Sequence, residues 1–542
     1  SRFPHFYFSK IRMQSCKGFQ GATGCFLGVP GCQKLSLGMF VRKKKNKSGV
    51  ISVQIIDKSS GHYKVLKTIG SSSNESQVNE LYTKAKSWIA HNSLQNALDF
   101  EQEDQLVQQV LQSVQAIQVA GIDLLLGKIF DDIGFDKIDN SIFKQLVLYR
   151  LVYPVSKLKT TEYLYRFQQI DWDEDRVYRY LDKLYKTQKE LVQQISYTHT
   201  VKVLGDEPQI VFYDVTTVYF EADQEDELRQ TGFSKEGKHQ NPQIVLGLLV
   251  SKNGYPLAYD VFDGKKFEGH TLLPVINAFK AKYNLQKLVV VADAGLLSKT
   301  NIELLQTNGY EFIIGARIKN ETHSLQKQIL SWAYKNGSTK VFTKQNDLKL
   351  IVSYSDKRAY KDAINRERGL KRLEKQIKQG KLTKSSINNK GYNKYLKLTG
   401  DISVEVDYEK YASDARWDGL KGYYSNSKLS VNEIIENYNQ LWQIEKAFRI
   451  TKTDLKIRPV YHRLPKRIEA HICLTFVAYK VYKELERQLK EKKSTISANK
   501  AIDIASFIFS ITYQLPKSNQ TLTMLLIKTE EQRLLASLFN WK

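Results

Sequence analysis

From residue 206 the chain reads as three strands, a helix, a strand, a helix and a strand, and no other feature limits the fold as much. QIVFYDVTTVYFE is β-branched and aromatic, and PQIVLGLLVSKNGYPLAYDVFDG is two apolar runs around an Asn-Gly turn. LPVINAFKAKY has helical spacing, and KLVVVADAG is a short buried run that stops at a glycine. SKTNIELLQTNGY reads as a helix with a Thr300…Glu303 capping box and an Asn-Gly stop, and YEFIIGAR closes the series. Elements in this order predict an α/β sheet layer.

The flanking regions differ in pattern. Residues 1–38 have neither a helical nor a strand period, and the working chain is expected to start near Met39, leaving 1–38 as an atypical N-terminal extension. Residues 39–75 predict a small β-rich segment, with strands at 49–57 and 62–69. Residues 76–205 have apolar residues at three- and four-residue steps and predict a helical region, a candidate for DNA binding. Residues 318–429 interrupt the sheet plan as a basic insertion subdomain. Within them, 357–397 holds 14 Lys or Arg against 3 Asp or Glu, an imbalance that suits a phosphate backbone. Residues 430–461 return to the core, and 462–542 predict a helical C-terminal region.

Charge points to the partner. The formal net charge is +25 over 542 residues, which favours a polyanion, most often nucleic acid. No apolar run approaches the roughly 18 residues of a membrane helix. The four cysteines, Cys16, Cys25, Cys32 and Cys473, form no Cys-x2-Cys pair, so a zinc site is not expected and a reducing, cytoplasmic setting is.

Three carboxylates carry the chemistry. Asp214 lies inside the strand IVFYDVTT, and Asp293 ends the strand LVVVAD before a glycine turn. Ligand sites in α/β sheets lie at the carboxyl ends of strands. Glu445 sits in YNQLWQIEKAFRITK, residues 438–452, in a helix expected to start at Ser430 with Glu433 closing a capping box. On one continuous helix at about 100° per residue, Tyr438, Glu445 and Lys452 fall within about 20° of one line, with Arg449 about 40° away. Converging carboxylates repel unless a cation lies between them, and their hard oxygens suit Mg²⁺. Two such ions serve in-line phosphoryl displacement. No Ser-His-Asp order, phosphate-binding Gly-x4-Gly-Lys loop or histidine cluster offers a competing mechanism.

These residues resemble a DDE transposase of a bacterial insertion sequence, in the group with the Tyr-x2-Arg-x3-Glu-x6-Lys signature. YDVTT is similar to the first Asp motif, ADAGLLS to the second and YNQLWQIEKAFRITK to the Glu motif, with 151 residues between Asp293 and Glu445. The resemblance spans about Met39 to the 480s. It implies an RNase H-like (retroviral-integrase-type) catalytic core, residues 206–317 plus 430–461, interrupted by the insertion and flanked by helical regions. It implies that Asp214, Asp293 and Glu445 are catalytic and hold two Mg²⁺ ions, with Mn²⁺ as a substitute. Tyr438 and Lys452 would contact DNA near the cut phosphate. The signature's Arg is Leu441 here, and Arg449 is the candidate replacement. An aromatic in the insertion can stack on a flipped base in such enzymes; Trp417, Tyr423 and Tyr424 are the candidates. The implied partners are terminal inverted repeats and target DNA, gripped by a homodimer in a paired-end complex, nucleoid-associated in a bacterial cytoplasm. The alternatives are another RNase H-like nuclease, such as a resolvase, and an inactive transposase-derived DNA-binding protein.

Overall fold

The structure, a computed structural model, describes residues 39–541 apart from 59–60, 97–111, 223, 235–236, 297, 383–385, 389–390, 400–402 and 516–517. The expected extension 1–38, with Cys16, Cys25 and Cys32, lies outside the described residues. The chain divides into two compact units, residues 1–113 with 514–519, and residues 114–513 with 520–542. In the first, β1 (Met39–Lys45), β2 (Ile51–Asp57) and β3 (Lys64–Ser72) form an antiparallel sheet in that order. The helix α1 (Glu75–Asn96) packs on it, and Val53 and Ile55 of β2 meet Val78 and Ala85 of α1 in a small core.

The second unit opens with β4 (Val114–Val119) and a run of helices: α2 (Lys128–Ile133), α3 (Ser141–Val152), α4 (Lys157–Gln168), α5 (Glu174–Thr187) and α6 (Lys189–Leu204). The predicted series then follows as β5 (Ile210–Tyr219), β6 (Gln243–Ser251), β7 (Pro256–Asp263), α7 (Leu272–Tyr283), β8 (Val289–Ala292), α8 (Lys299–Thr307) and β9 (Glu311–Ala316). The cap of α8 is Ser298, whose hydroxyl accepts from Asn301 N, and not the expected Thr300. After α9 (His323–Leu330) come β10 (Thr339–Thr343), β11 (Lys349–Tyr354) and α10 (Asp356–Lys378), then β12 (Leu396–Thr399), β13 (Ser403–Val406), α11 (Tyr408–Ala415) and β14 (Leu420–Ser425). The chain ends with α12 (Val431–Asn439), α13 (Trp442–Thr453), α14 (Pro465–Glu491), α15 (Ala498–Ala505), β15 (Phe509–Gln514), β16 (Thr521–Leu526) and α16 (Glu530–Phe539).

One sheet organises this unit, with strand order β10-β11-β14-β9-β8-β5-β6-β7. β5, β6 and β7 form an antiparallel meander, β8 and β9 run parallel to β5, and β14, β11 and β10 add antiparallel. Both faces are covered, which is why β6 is buried at every position. The mixed α/β class holds. The segment read as an insertion differs from expectation, because β10, β11 and β14 extend the core sheet. Among the described residues, α10, β12, β13 and α11 share a separate small core of Leu373, Tyr395, Leu396 and Val404.

Two regions read as wholly helical contain strands. β15 pairs antiparallel with β4 across almost 400 residues of sequence, with Phe509 opposite Val119, and β16 adds to β15. A pairing that distant leaves no local signal beyond the period-two alternation of VQAIQV and FSITYQ. α14 is apolar on most sides and runs through the helical layer, against α2, α3, α5 and α6. Its buried polar groups are satisfied: Lys480 Nζ donates to Ser196 O (2.9 Å) and Thr200 Oγ1 (2.6 Å), and Glu484 accepts from Tyr255 Oη (2.6 Å). Among the described residues, no helix is long and apolar enough to cross a membrane.

Candidate active site

Alternation along the strands sends one set of side chains to a single face of the sheet. On β5, Phe212 joins the core under α12 and α13 while Tyr213 joins the opposite core, so Asp214 falls on the α12–α13 face. On β8, Val291 and Ala292 divide the same way, and Asp293 follows on that face. The strands are parallel and their last pair is Tyr213 opposite Ala292, so Asp214 and Asp293 each follow that pair directly, at the carboxyl end of β8. Asp214 is half-buried and accepts from Val215 N (2.8 Å); Asp293 is exposed and accepts from Ala294 N.

The expected single helix is two. The capping box holds as expected: Ser430 and Glu433 bond each other's backbone N–H at the start of α12. At 440–441 the ladder tightens, with Gln440 N bonding Asn437 O, Leu441 N bonding Tyr438 O and Ile444 N bonding Leu441 O at 3.0 to 3.1 Å. Tyr438 therefore lies in the last turn of α12, while Glu445, Arg449 and Lys452 lie on α13, and the continuous stripe is broken. The break places Leu441, at the signature's Arg position, in the core at 7% exposure.

Tyr438 is likewise buried. Its hydroxyl lies over Gly315 of β9, where an added Cβ would sit 2.3 Å from Tyr438 Oη and 3.2 Å from Ala294 Cβ. Its ring meets Tyr423 edge-on at 4.9 Å. Lys421 of β14 lies beside both rings, with Nζ 4.4 Å from the Tyr438 centroid and 5.4 Å from that of Tyr423. Burial, then the Arg358 charge, lowers the Lys421 ammonium, while the Asp293 and Glu445 carboxylates oppose that shift. The Tyr438 phenol is pushed up by burial first, then by Asp293, Tyr423 and Glu445. Two separate groups thus sense both Asp293 and Glu445.

Lys421 and Arg358 were not singled out in the sequence. Lys421 sits in GLKGYYS as an ordinary strand lysine, and only the pairing of β14 with β9 carries it to the carboxylates. Glu445 and Arg449 are exposed and Lys452 half-buried, so these cations remain accessible to a phosphate. Trp417, Tyr423 and Tyr424 are 9%, 2% and 8% exposed, which removes all three as base-stacking surfaces in this arrangement.

The donor set suits a hard divalent cation in chemistry, being three carboxylates, two of them at equivalent positions just past the last pair of β5 and β8. It is open in geometry: among the described residues, no three His, Cys, Asp or Glu side chains gather closely enough to hold a metal.

The chain was compared with known proteins. No curated protein matches. Among solved structures, a piggyBac transposase synaptic complex with hairpin DNA is 9% identical at TM-score 0.35, covering 71% of this chain and 76% of its own. A Mos1 transposase paired-end complex with the left transposon end is 14% identical at TM-score 0.15, covering 34% of this chain and 57% of its own. A Mos1 mariner paired-end complex with Mn is 15% identical at TM-score 0.14, covering 33% and 55%. The family model described as the transposase DDE domain matches residues 205–480, a span that contains Asp214, Asp293, Lys421 and Glu445. The chain belongs to the transposase DDE domain family.

Proposed function

We propose that this DDE transposase cuts the two ends of a bacterial insertion sequence and joins them to target DNA. It would do so as a member of the Tyr-x2-Arg-x3-Glu-x6-Lys group. The observation that carries the reading is the placement of Asp214 and Asp293 directly after the last pair of β5 and β8, with Glu445 on a helix over the same sheet face. The meander that continues into two parallel strands supports an RNase H-like core formed by residues 206–317 and 430–461.

Asp214, Asp293 and Glu445 would hold divalent metal, two Mg²⁺ ions or Mn²⁺ in their place. Bound there, such ions stabilise charge on phosphoryl oxygens and lower the pKa of water. The chain's own residues do the positioning. Arg449 and Lys452, one and two turns after Glu445, present cations to the DNA backbone. Lys421, fixed by two rings, offers a further donor toward the cut phosphate. A water attacks phosphorus and the bond to the leaving 3′-oxygen breaks, freeing a 3′-hydroxyl on the element and a 5′-phosphate on the flank. That hydroxyl then attacks a target phosphodiester, forming a bond from the element's 3′-oxygen to the target phosphorus as the target's own 3′-oxygen leaves as a hydroxyl. Joining needs both ends together, so the working form would be a homodimer on paired inverted repeats, in the nucleoid of a bacterial cytoplasm.

The test is cleavage of a labelled element end by the full chain with Mg²⁺, beside Glu445→Ala. End-specific nicking lost in the variant, followed by joining to target, supports the reading. Nicking without joining would indicate a resolvase-type nuclease, and binding without cleavage in either Mg²⁺ or Mn²⁺ would indicate an inactive DNA-binding protein.

A further inference from the structure

A cavity of about 520 Å³ opens where α3, α4 and the segment between α13 and α14 meet, and its charge is of one sign. Arg150, Lys157, Arg458, His462 and His471 line it, with Lys159. Arg150, Lys157 and His471 are only 6%, 4% and 5% exposed. Arg150 Nη2 lies 3.3 Å from His471 Nδ1, and His471 Nε2 lies 3.0 Å from Ile457 O. These partners fit a neutral imidazole that donates to the carbonyl and accepts from the guanidinium. Among the described residues, the charged groups that bear most on Lys157, His462 and His471 are one another, Arg150 and Arg467, all of them basic.

Such a cluster is costly alone. A buried cation without a counter-charge is strongly disfavoured, and Arg does not escape by losing its proton. Burial, and for Lys157 and His471 the Arg150 charge, pushes their protonation well down, which is the response of a cation site lacking its anion. Lys157 is also the first residue of α4, a 12-residue helix whose amino end adds positive potential at the cavity wall.

We propose that this cavity is a phosphate site, with Lys157 and Arg150 as its buried ligands. Its occupant is a phosphate monoester, either the 5′-terminal phosphate of a cut DNA strand or free inorganic phosphate. A monoester dianion carries more charge than a backbone diester and enters a concavity from its free end. The DNA source rests on the cleavage proposed above, which leaves a 5′-phosphate. The place suits it: Val460 N bonds Tyr219 O (3.3 Å), and Arg458 lies 5.8 Å from the Tyr219 ring, five residues beyond Asp214 on β5. Five residues of strand span about 17 Å, roughly five base-pair steps of DNA.

The test uses the full chain in phosphate-free buffer. Inorganic phosphate is titrated while melting is followed, with chloride matching the ionic strength. Phosphate should raise Tm by a few degrees in the parent and not in Lys157→Met. Should Lys157→Met fail to fold, His462→Gln at the half-buried wall should lose at least half of the shift. A duplex bearing a 5′-phosphate should then bind about tenfold more tightly than its 5′-hydroxyl counterpart, and Lys157→Met should abolish that preference. A Lys157-dependent melting shift without end preference supports the site with free phosphate as its occupant. Equal phosphate response in parent and variants overturns the proposal. The melting arm contains no DNA, so its failure and a failure of end cleavage are separate results.

Discussion

Lys421 sits where opposed forces meet. Burial beside Tyr423 and Tyr438 disfavours its charge, whereas Asp293 and Glu445 favour it. A cation held beside carboxylates that must admit a phosphate serves twice. On the proposed function it would temper their mutual repulsion in the free protein and become a preorganised donor once DNA arrives. Removing one such donor costs about 10²–10³ in rate where it acts on the transition state. Lys421→Gln should therefore lower end cleavage by about 10²-fold while changing DNA affinity less than tenfold, and Lys421→Arg should restore part of the rate. Single-turnover cleavage beside a binding titration measures both; an unchanged cleavage rate in Lys421→Gln would remove the residue from the site. Nothing in GLKGYYS reveals this role, because a strand lysine has no signature. Asp214 and Asp293 were legible because an acid inside or ending an apolar strand is unusual on its own.

At the scale of elements, the fit of β9 to α12 is the tightest constraint beside the carboxylates. Gly315 has no Cβ because Tyr438 Oη occupies that space. Gly315→Ala should cost about 1–3 kcal/mol by overpacking and lower cleavage by moving Tyr438 away from Lys421. Adding Tyr438→Phe should recover stability, as chemical denaturation of the single and double variants would measure. The turn between α12 and α13 gives a second prediction. Leu441 occupies the signature's Arg position yet belongs to the core. Leu441→Arg should thus destabilise by more than about 3 kcal/mol, the result of burying an unpaired charge, and leave cleavage no faster. A stable, faster variant would show that this side chain reaches the DNA. These elements also mark the limit of the sequence. Order and type from β5 to β9 were readable, since each has a strong period and a turn signal. The break at 440–441 was not, because it contains neither Gly nor Pro. The joining of β10, β11 and β14 to the core sheet was hidden too, since it depends on strand pairing across a long excursion.

At the scale of the molecule, the helical layer keeps its histidines neutral. His199 is lowered to about 4 by burial, then by Lys480, with Arg487 and Lys202 adding and Glu484 opposing. His462 is lowered to about 4 by burial, then Lys157, Arg150 and Arg467; His471 is driven well down by burial, then Arg150, Lys157 and His462. In the unfolded chain each takes its proton near about 6.5. Between those values the unfolded state binds more protons, so stability must fall as pH drops from about 6.5 toward about 4, and at pH 7 there is no such penalty. Carboxylates act in a different window: Asp182, held to about 2 by Arg467 and Lys466, and Asp414, held to about 2 by Lys319, Lys394 and Tyr395 against its own burial, lose their contribution only as pH falls through about 4 and below. The two windows separate the causes. Denaturant unfolding in phosphate-free buffer should show a steady loss of stability from pH 6.5 to 4.5. His199→Gln should flatten part of that slope without altering the steeper loss below about 4. A parent stability that is level between pH 6.5 and 4.5 would mean that these imidazoles titrate in the folded protein as they do in water, and that the cluster around Arg150 and Lys157 is open to solvent.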